Sequence, residues 1–265
     1  EGRLLMEHNH FFTADALLFS ISFLFALTLY CLAVCKSNRK FRKWPRYRMI
    51  CWFLGVISVM GTVIGPIADR AHSQFIYHMA VHLLLGMLAP LLLVLSQPIT
   101  LILRTLPVPA ARKFSNLLKS WPVQIYCHPI VASVLNIGGL WVLYTTELFS
   151  AMQHHPLLHF IIHIHVFLSG YLFTVSMIYV EPSPHRYSFV FRAVVFILAL
   201  AGHGILAKYV YTNPPKGVAL AEAEAGGMLM YYGGDAVDLI LITIFCYQWY
   251  KASRPHPPIH THQSL

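Results

Sequence analysis

The chain has 265 residues, 57% of them hydrophobic and 11% charged, with a formal net charge of +9. A soluble domain of this size carries about 25% charged residues, so the composition excludes one and points to an integral membrane protein. No nucleophile–base arrangement, phosphate-binding glycine loop or nucleotide motif appears in it, which argues against an enzyme built on any of these.

Seven apolar segments are long enough to span a membrane: 14–35, 50–68, 74–95, 128–149, 157–180, 189–211 and 227–250. About 20 residues cross the hydrocarbon core at roughly 1.5 Å of rise each. Each span must be helical, because lipid offers no partners to exposed backbone groups. The expected fold is therefore an all-α integral membrane protein, a bundle of seven transmembrane helices over 14–250. Residues 1–13 precede it as an extracytoplasmic segment. The chain opens on Glu1, and no cleavable signal peptide is visible. Between the third and fourth spans, "ARKFSNLLKSW" (111–121) places Phe114, Leu117, Leu118 and Trp121 at helical spacing opposite Arg112, Lys113 and Lys119. That pattern predicts a short interfacial helix on the inner leaflet. Residues 251–265 form a cytoplasmic tail whose Pro/His-rich end, "PHPPIHTHQSL", has the composition of a disordered segment.

Lys and Arg set the expected orientation. "KSNRKFRKWPRYR" (36–48) holds seven basic residues. Arg104, Arg112, Lys113, Lys119, Arg186, Arg192, Lys251 and Arg254 fall on the same side, giving 15 of the 19. The positive-inside rule makes that side cytoplasmic, with the N-terminus outside and the C-terminus inside. The positive charge is thus a topology signal and an attraction to anionic lipid, and it requires no nucleic acid. The five cysteines, Cys31, Cys35, Cys51, Cys127 and Cys246, all fall near cytoplasmic span ends. That side is reducing, so structural disulfides are not expected. Cys31, Cys35 and Cys51 are either small buried hydrophobes or a thiolate loading site for Cu(I).

Histidines have the opposite sidedness. Eleven of the sixteen fall outside or between the outer surface and the midplane. Intramembrane ionisable residues are costly and face a bundle interior or a cavity, which makes them functional candidates. His78 and His82 on span three, and His159 and His163 on span five, are two i, i+4 pairs. Such a pair aims two imidazoles from one helix turn, which is a metal-ligand geometry. The plainer reading is that each histidine hydrogen-bonds a neighbouring helix, and for His165 that reading leads. Met79 and Met228 bring thioether sulfur to the same region, and imidazole with thioether on an oxidising side points to copper before zinc. His203 on span six is the next candidate ligand. Asp235 can orient a ligand histidine or relay protons, with Tyr232 and Met228 on the same helix face. Packing is the alternative for each methionine.

Three stretches carry a family resemblance. "HMAVHLLLGMLAPLLLVLSQPITLILRTLP" (78–107), "HPIVASVLNIGGLWVLYTTELFSAMQHHPLLHFIIHIHVFLSGYLF" (128–173) and "GGMLMYYGGDAVDLILI" (226–242) resemble, in order, segments of the seven-span CtaG family of cytochrome c oxidase assembly proteins, in its Gram-positive form. The resemblance implies a non-enzymatic assembly factor for a caa-type haem–copper oxidase, multi-pass in the bacterial cytoplasmic membrane. It implies a metallochaperone that delivers copper, Cu(I) or Cu(II), to an oxidase subunit. The family's histidine pattern carries over to His78, His82, His159 and His163, whereas the acidic residue often found before the last of these is Ile162 here. The expected partners are haem–copper oxidase subunits and membrane lipid, with self-association left open. The rival expectations are a copper transporter, a haem-binding membrane protein and a metal-free scaffold.

Overall fold

A computed structural model of the chain describes residues 2–183 and 185–254, with side chains from residue 19 onward. The side chains of the 1–13 segment, His8 and His10 included, lie outside the described residues, as do tail residues 255–265. All regular secondary structure among the described residues is helical, without strands. The order is α1 (Gly2–Lys40), α2 (Arg46–Val63), α3 (Pro66–Ala71) and α4 (Phe75–Leu83), then a π-helical turn (Leu84–Leu88) leading into α5 (Ala89–Leu95). Next come α6 (Pro98–Thr105), α7 (Val108–Leu118), α8 (Trp121–Tyr126) and α9 (Pro129–Ser133), then a second π turn (Val134–Gly138) leading into α10 (Gly139–Thr145). The chain closes with α11 (Leu148–His154), α12 (Pro156–Met177), α13 (Phe189–Thr212) and α14 (Leu220–Ser253).

Five stretches are long and apolar enough to cross a membrane: Phe19–Lys40, Phe75–Thr105, Pro156–Met177, Phe189–Thr212 and Leu220–Ser253. The pair Pro129–Thr145 and Leu148–His154, bent by 78°, makes a sixth if counted as one span. α2 falls outside that set because Arg46 and Arg48 occupy its first turn.

Several expected boundaries move, each for a local reason. The second span does not reach residue 68. It stops at Val63, because Gly65 takes φ +104° and Pro66 opens a new helix. The fourth span is not one straight rod. The hydroxyls of Thr145 and Thr146 bond back to the carbonyls of Trp141 and Val142, and the Leu148 amide donates to Thr146 Oγ1. This local bonding competes with helix continuation and turns the chain. The amphipathic segment does form α7 with no buried residue, but Trp121 is not on it. Lys119 and Ser120 end α7, and Trp121 starts α8.

The α4–π–α5 rod is central, contacted by α2, α12 and α14, with α13 packed against α14 and α9 and α1 against α2 and α6. α12 reaches it through glycine. A Cβ on Gly170 would overlap the carbonyl oxygen of Gly86 in the first π turn. At the basic end, Arg104 stacks over Phe41 and Trp44, and Arg48 over Trp44. Arg192, counted above with the basic residues of the cytoplasmic side, is buried in the first turn of α13, over Tyr179 and Phe189, with Nη1 donating to the Met177 carbonyl. Glu181, also buried, accepts from the Ile99 and Thr100 amides and from Thr100 Oγ1, satisfying the open N-terminus of α6. Burial pushes its carboxyl above the usual carboxylate range, and the hydrogen bonds from Thr100 and Ile99 pull it back.

Gly170→Ala is expected to destabilise the bundle by roughly 3 kcal/mol, the upper part of the range for overpacking, because backbone on both sides must separate. A lowered unfolding temperature in detergent checks this, and an unchanged one would show that α12 does not approach so closely.

Candidate metal site

Helix periodicity places the two histidine pairs, and packing decides what they meet. On α4, Phe75, His78, Met79 and His82 are buried. Pro156 occupies the first turn of α12, so His155 is the extended N-cap residue and the helical pair is His159 and His163. The rings of His159 and His163 stack with centroids 4.1 Å apart, and exposed His72 lies 5.1 Å from His159. Across the helices, His78 is 6.2 Å from His163 and His82 is 6.2 Å from His203. Six imidazoles thus run inward from the bundle end: His72, His159, His163, His78, His82 and His203. An open cleft at that end is lined by His72, Gln74, His78, His154, Lys216 and Glu222. A small inner cavity joins His78, His82, Tyr144 and His163. A second holds His203 and Asp238.

The bonding of each ring fixes what it offers. His163 Nδ1 lies 2.8 Å from the His159 carbonyl oxygen. A carbonyl only accepts, so the neutral ring carries its proton on Nδ1 and keeps the Nε2 lone pair. His78 Nε2 is 3.1 Å from the Tyr144 hydroxyl. Both nitrogens of His82 and Nε2 of His203 are buried without a partner among the described residues. Buried polar atoms are rarely left so, and in each neutral ring the nitrogen without the proton offers its lone pair as a ligand. Two imidazoles that share one ion from opposite sides have ring centres about 6 Å apart, since each metal–nitrogen bond is about 2 Å. The His78–His163 and His82–His203 pairs have that spacing, and neutral nitrogen donors suit copper. The described residues contain no group of three or more His, Cys, Asp or Glu side chains that could hold an ion together. The site is a series of pairs, and His78, His82, His159 and His163 do not close one cage.

Other candidates separate from it. His165 donates Nε2–H to the Leu135 carbonyl, 3.1 Å away in the second π turn, and so acts as a helix contact. Met79 is fully buried in an apolar cluster with Met230 and Phe75. Met228 and Tyr232 are exposed on the outer face of α14, 48% and 70%, and Asp235 is exposed beside them. That face of α14 points away from the histidines because Gly226, Gly227, Gly233 and Gly234 form its packed face, Gly234 against the His203 ring. The buried carboxylate of this helix is Asp238. Cys35 and Cys246 are exposed, and Cys31, Cys51 and Cys127 are partly buried.

Sequence reasoning missed His72 and Tyr144. His72 sits after the Gly65 break, where no span pattern guided it. Tyr144 had a usable signal, since its place in span four matches the depth of His78.

The helices long and apolar enough to cross a membrane, with a histidine series leading in from one end of the bundle, define a helical membrane protein. The chain belongs to the family of cytochrome c oxidase caa3 assembly factors (Caa3_CtaG), whose profile matches residues 28–252. It is also similar to uncharacterized proteins of Mycobacterium bovis and Mycobacterium tuberculosis, each 28% identical over 238 residues, covering 82% of this chain and 36% of the relative. An uncharacterized protein of Mycobacterium leprae is 26% identical over 235 residues, covering 81% of the chain and 36% of the relative. The chain therefore spans about a third of the length of these curated relatives. No solved structure matches it.

Tyr144→Phe is expected to lower stability by about 1 kcal/mol through loss of the His78 hydrogen bond, and to leave metal uptake intact, because His78 Nε2 becomes free. Loss of uptake in this variant would make Tyr144 itself a ligand.

Proposed function

We propose that the chain matures a caa-type haem–copper oxidase by holding copper on the histidine series and passing it to an oxidase subunit in the bacterial cytoplasmic membrane. The ion is cargo, exchanged between neutral imidazoles, and no bond in a substrate is made or broken. The observation that carries this reading is the pair of 6.2 Å couples, His78–His163 and His82–His203, with unpartnered nitrogens on His82 and His203. Paired sites with few ligands suit transfer, because an incoming ligand from the recipient finds the ion unsaturated. His72 and His159 at the cleft are the exchange point.

In this proposal the bundle crosses the membrane seven times, with the cleft outside and the C-terminus in the cytoplasm. The basic residues near Trp44, Phe41 and Tyr179 support that orientation. A bare ion is favoured over haem. His78 and His82 are each 4% exposed, and Phe75, Tyr144 and Phe149 crowd their rings, leaving no slot for a porphyrin.

Copper analysis of the purified protein tests the site. His78→Ala combined with His159→Ala is expected to remove most bound copper and to lower oxidase activity in cells, with no Soret band in any sample. Unchanged copper stoichiometry would overturn the ligand assignment, and full oxidase maturation without these histidines would favour a metal-free scaffold.

A further inference from the structure

Past the innermost histidine pair lies a cavity that the six imidazoles do not account for. Its polar lining is Asn136, Thr174, His203 and Asp238, and the rest is apolar. Both π turns border it, Gly86 and Met87 from the first and Asn136 and Ile137 from the second. Inserted π turns re-aim side chains and concentrate at functional sites. Here two of them, on different rods, meet at one place. His82 closes the other side of this wall. A Cβ added to Gly86 would stand 3.4 Å from His82 Nδ1.

Asp238 is 6% exposed, and among the described residues no hydrogen bond or ion pair reaches its carboxylate. The Asn136 amide, 8% exposed, has no hydrogen-bond partner among them either. Thr174 donates to the Gly170 carbonyl at 2.9 Å and keeps its own oxygen as an acceptor. The buried guanidinium of Arg192 does not answer Asp238, since it is bound to the Met177 carbonyl and stacked on Tyr179. A carboxylate in a membrane interior normally has a partner. This cavity holds a carboxyl group, acceptor oxygens and an imidazole nitrogen that have no partner among the described residues.

We propose that this cavity supplies the counter-charge of the inner station, so that a monovalent cation between His82 and His203 is neutralised by Asp238. The inference rests on the copper reading and deepens it. Neutral imidazoles bring no charge, and Asp235 is exposed and outside the cavity lining, so the ionised Asp238 carboxylate balances one unit. Cu(I) leaves the station neutral, while a divalent ion leaves a net positive charge in a low-dielectric interior. The station therefore selects the reduced ion.

The test uses the full chain purified in detergent, with Ag(I) as a redox-inert monovalent probe and Zn(II) as the divalent one. Wild-type protein is expected to take up Ag(I) in preference to Zn(II). Asp238→Asn is expected to weaken Ag(I) binding by about thirtyfold or more, the scale of loss when one charge of a buried pair is left alone, and Asp238→Glu to retain most of it. Equal Ag(I) affinity in wild type and Asp238→Asn would overturn this inference and leave the copper reading standing. Absence of Ag(I) uptake by the wild type would overturn both. If Asp238→Asn does not fold, the wild-type preference decides alone, and Zn(II) uptake equal to or above that of Ag(I) refutes the proposal.

Discussion

The contact of Gly170 with the Gly86 carbonyl is the constraint on which the rest of the bundle depends. It needs a residue without Cβ on α12 and a carbonyl displaced by the first π turn. With that contact made, α12 lies close enough to α4 for His163 to meet His78. The same closeness leaves room on the far side, where the second π turn brings Asn136 toward α13 and α14. Small residues let helices approach in lipid, where apolar surface gives no net drive to associate. Gly234 does for His203 what Gly170 does for the rod, since any side chain there would displace the imidazole.

Burying so many imidazoles sets a second condition. Each ring must stay neutral and be bonded, or offer its free nitrogen to a ligand. His165 and His163 meet it with carbonyls, and His78 with Tyr144. His82 and His203 do not meet it within the protein. The bonded rings His78 and His163 thus lie between the cleft and the unpartnered rings of His82 and His203.

Legibility followed periodicity. The membrane class and all-helical fold were readable because apolar runs of about 20 residues have few soluble alternatives. The i, i+4 histidine pairs were readable because 3.6 residues per turn fix their common face. Helix breaks were less so. Gly65–Pro66 carried a signal, whereas the bend after Thr146 depends on which hydroxyls find carbonyls. The burial of Asp238 beside an exposed Asp235 marks a deeper limit. A span that is apolar all round has no amphipathic stripe to mark its inner face, and residues three apart on one helix are near neighbours. The glycines at 226, 227, 233 and 234 were the better indicator, because close packing demands them.

The sequence by itself determined that this chain is a helical membrane protein of the oxidase-assembly family, with histidines in pairs and basic residues gathered opposite them. Those properties are written in composition and in spacing along one helix, which need no neighbour to be defined. The tertiary structure alone decided that His72 joins the series, that Met228 and Tyr232 face outward, and that Glu181 caps a helix 81 residues away. It also decided that Asp238 is the carboxylate inside. Each of these is a relation between helices, set by where glycine permits contact and where a π turn displaces the backbone, and no period along a single segment encodes it.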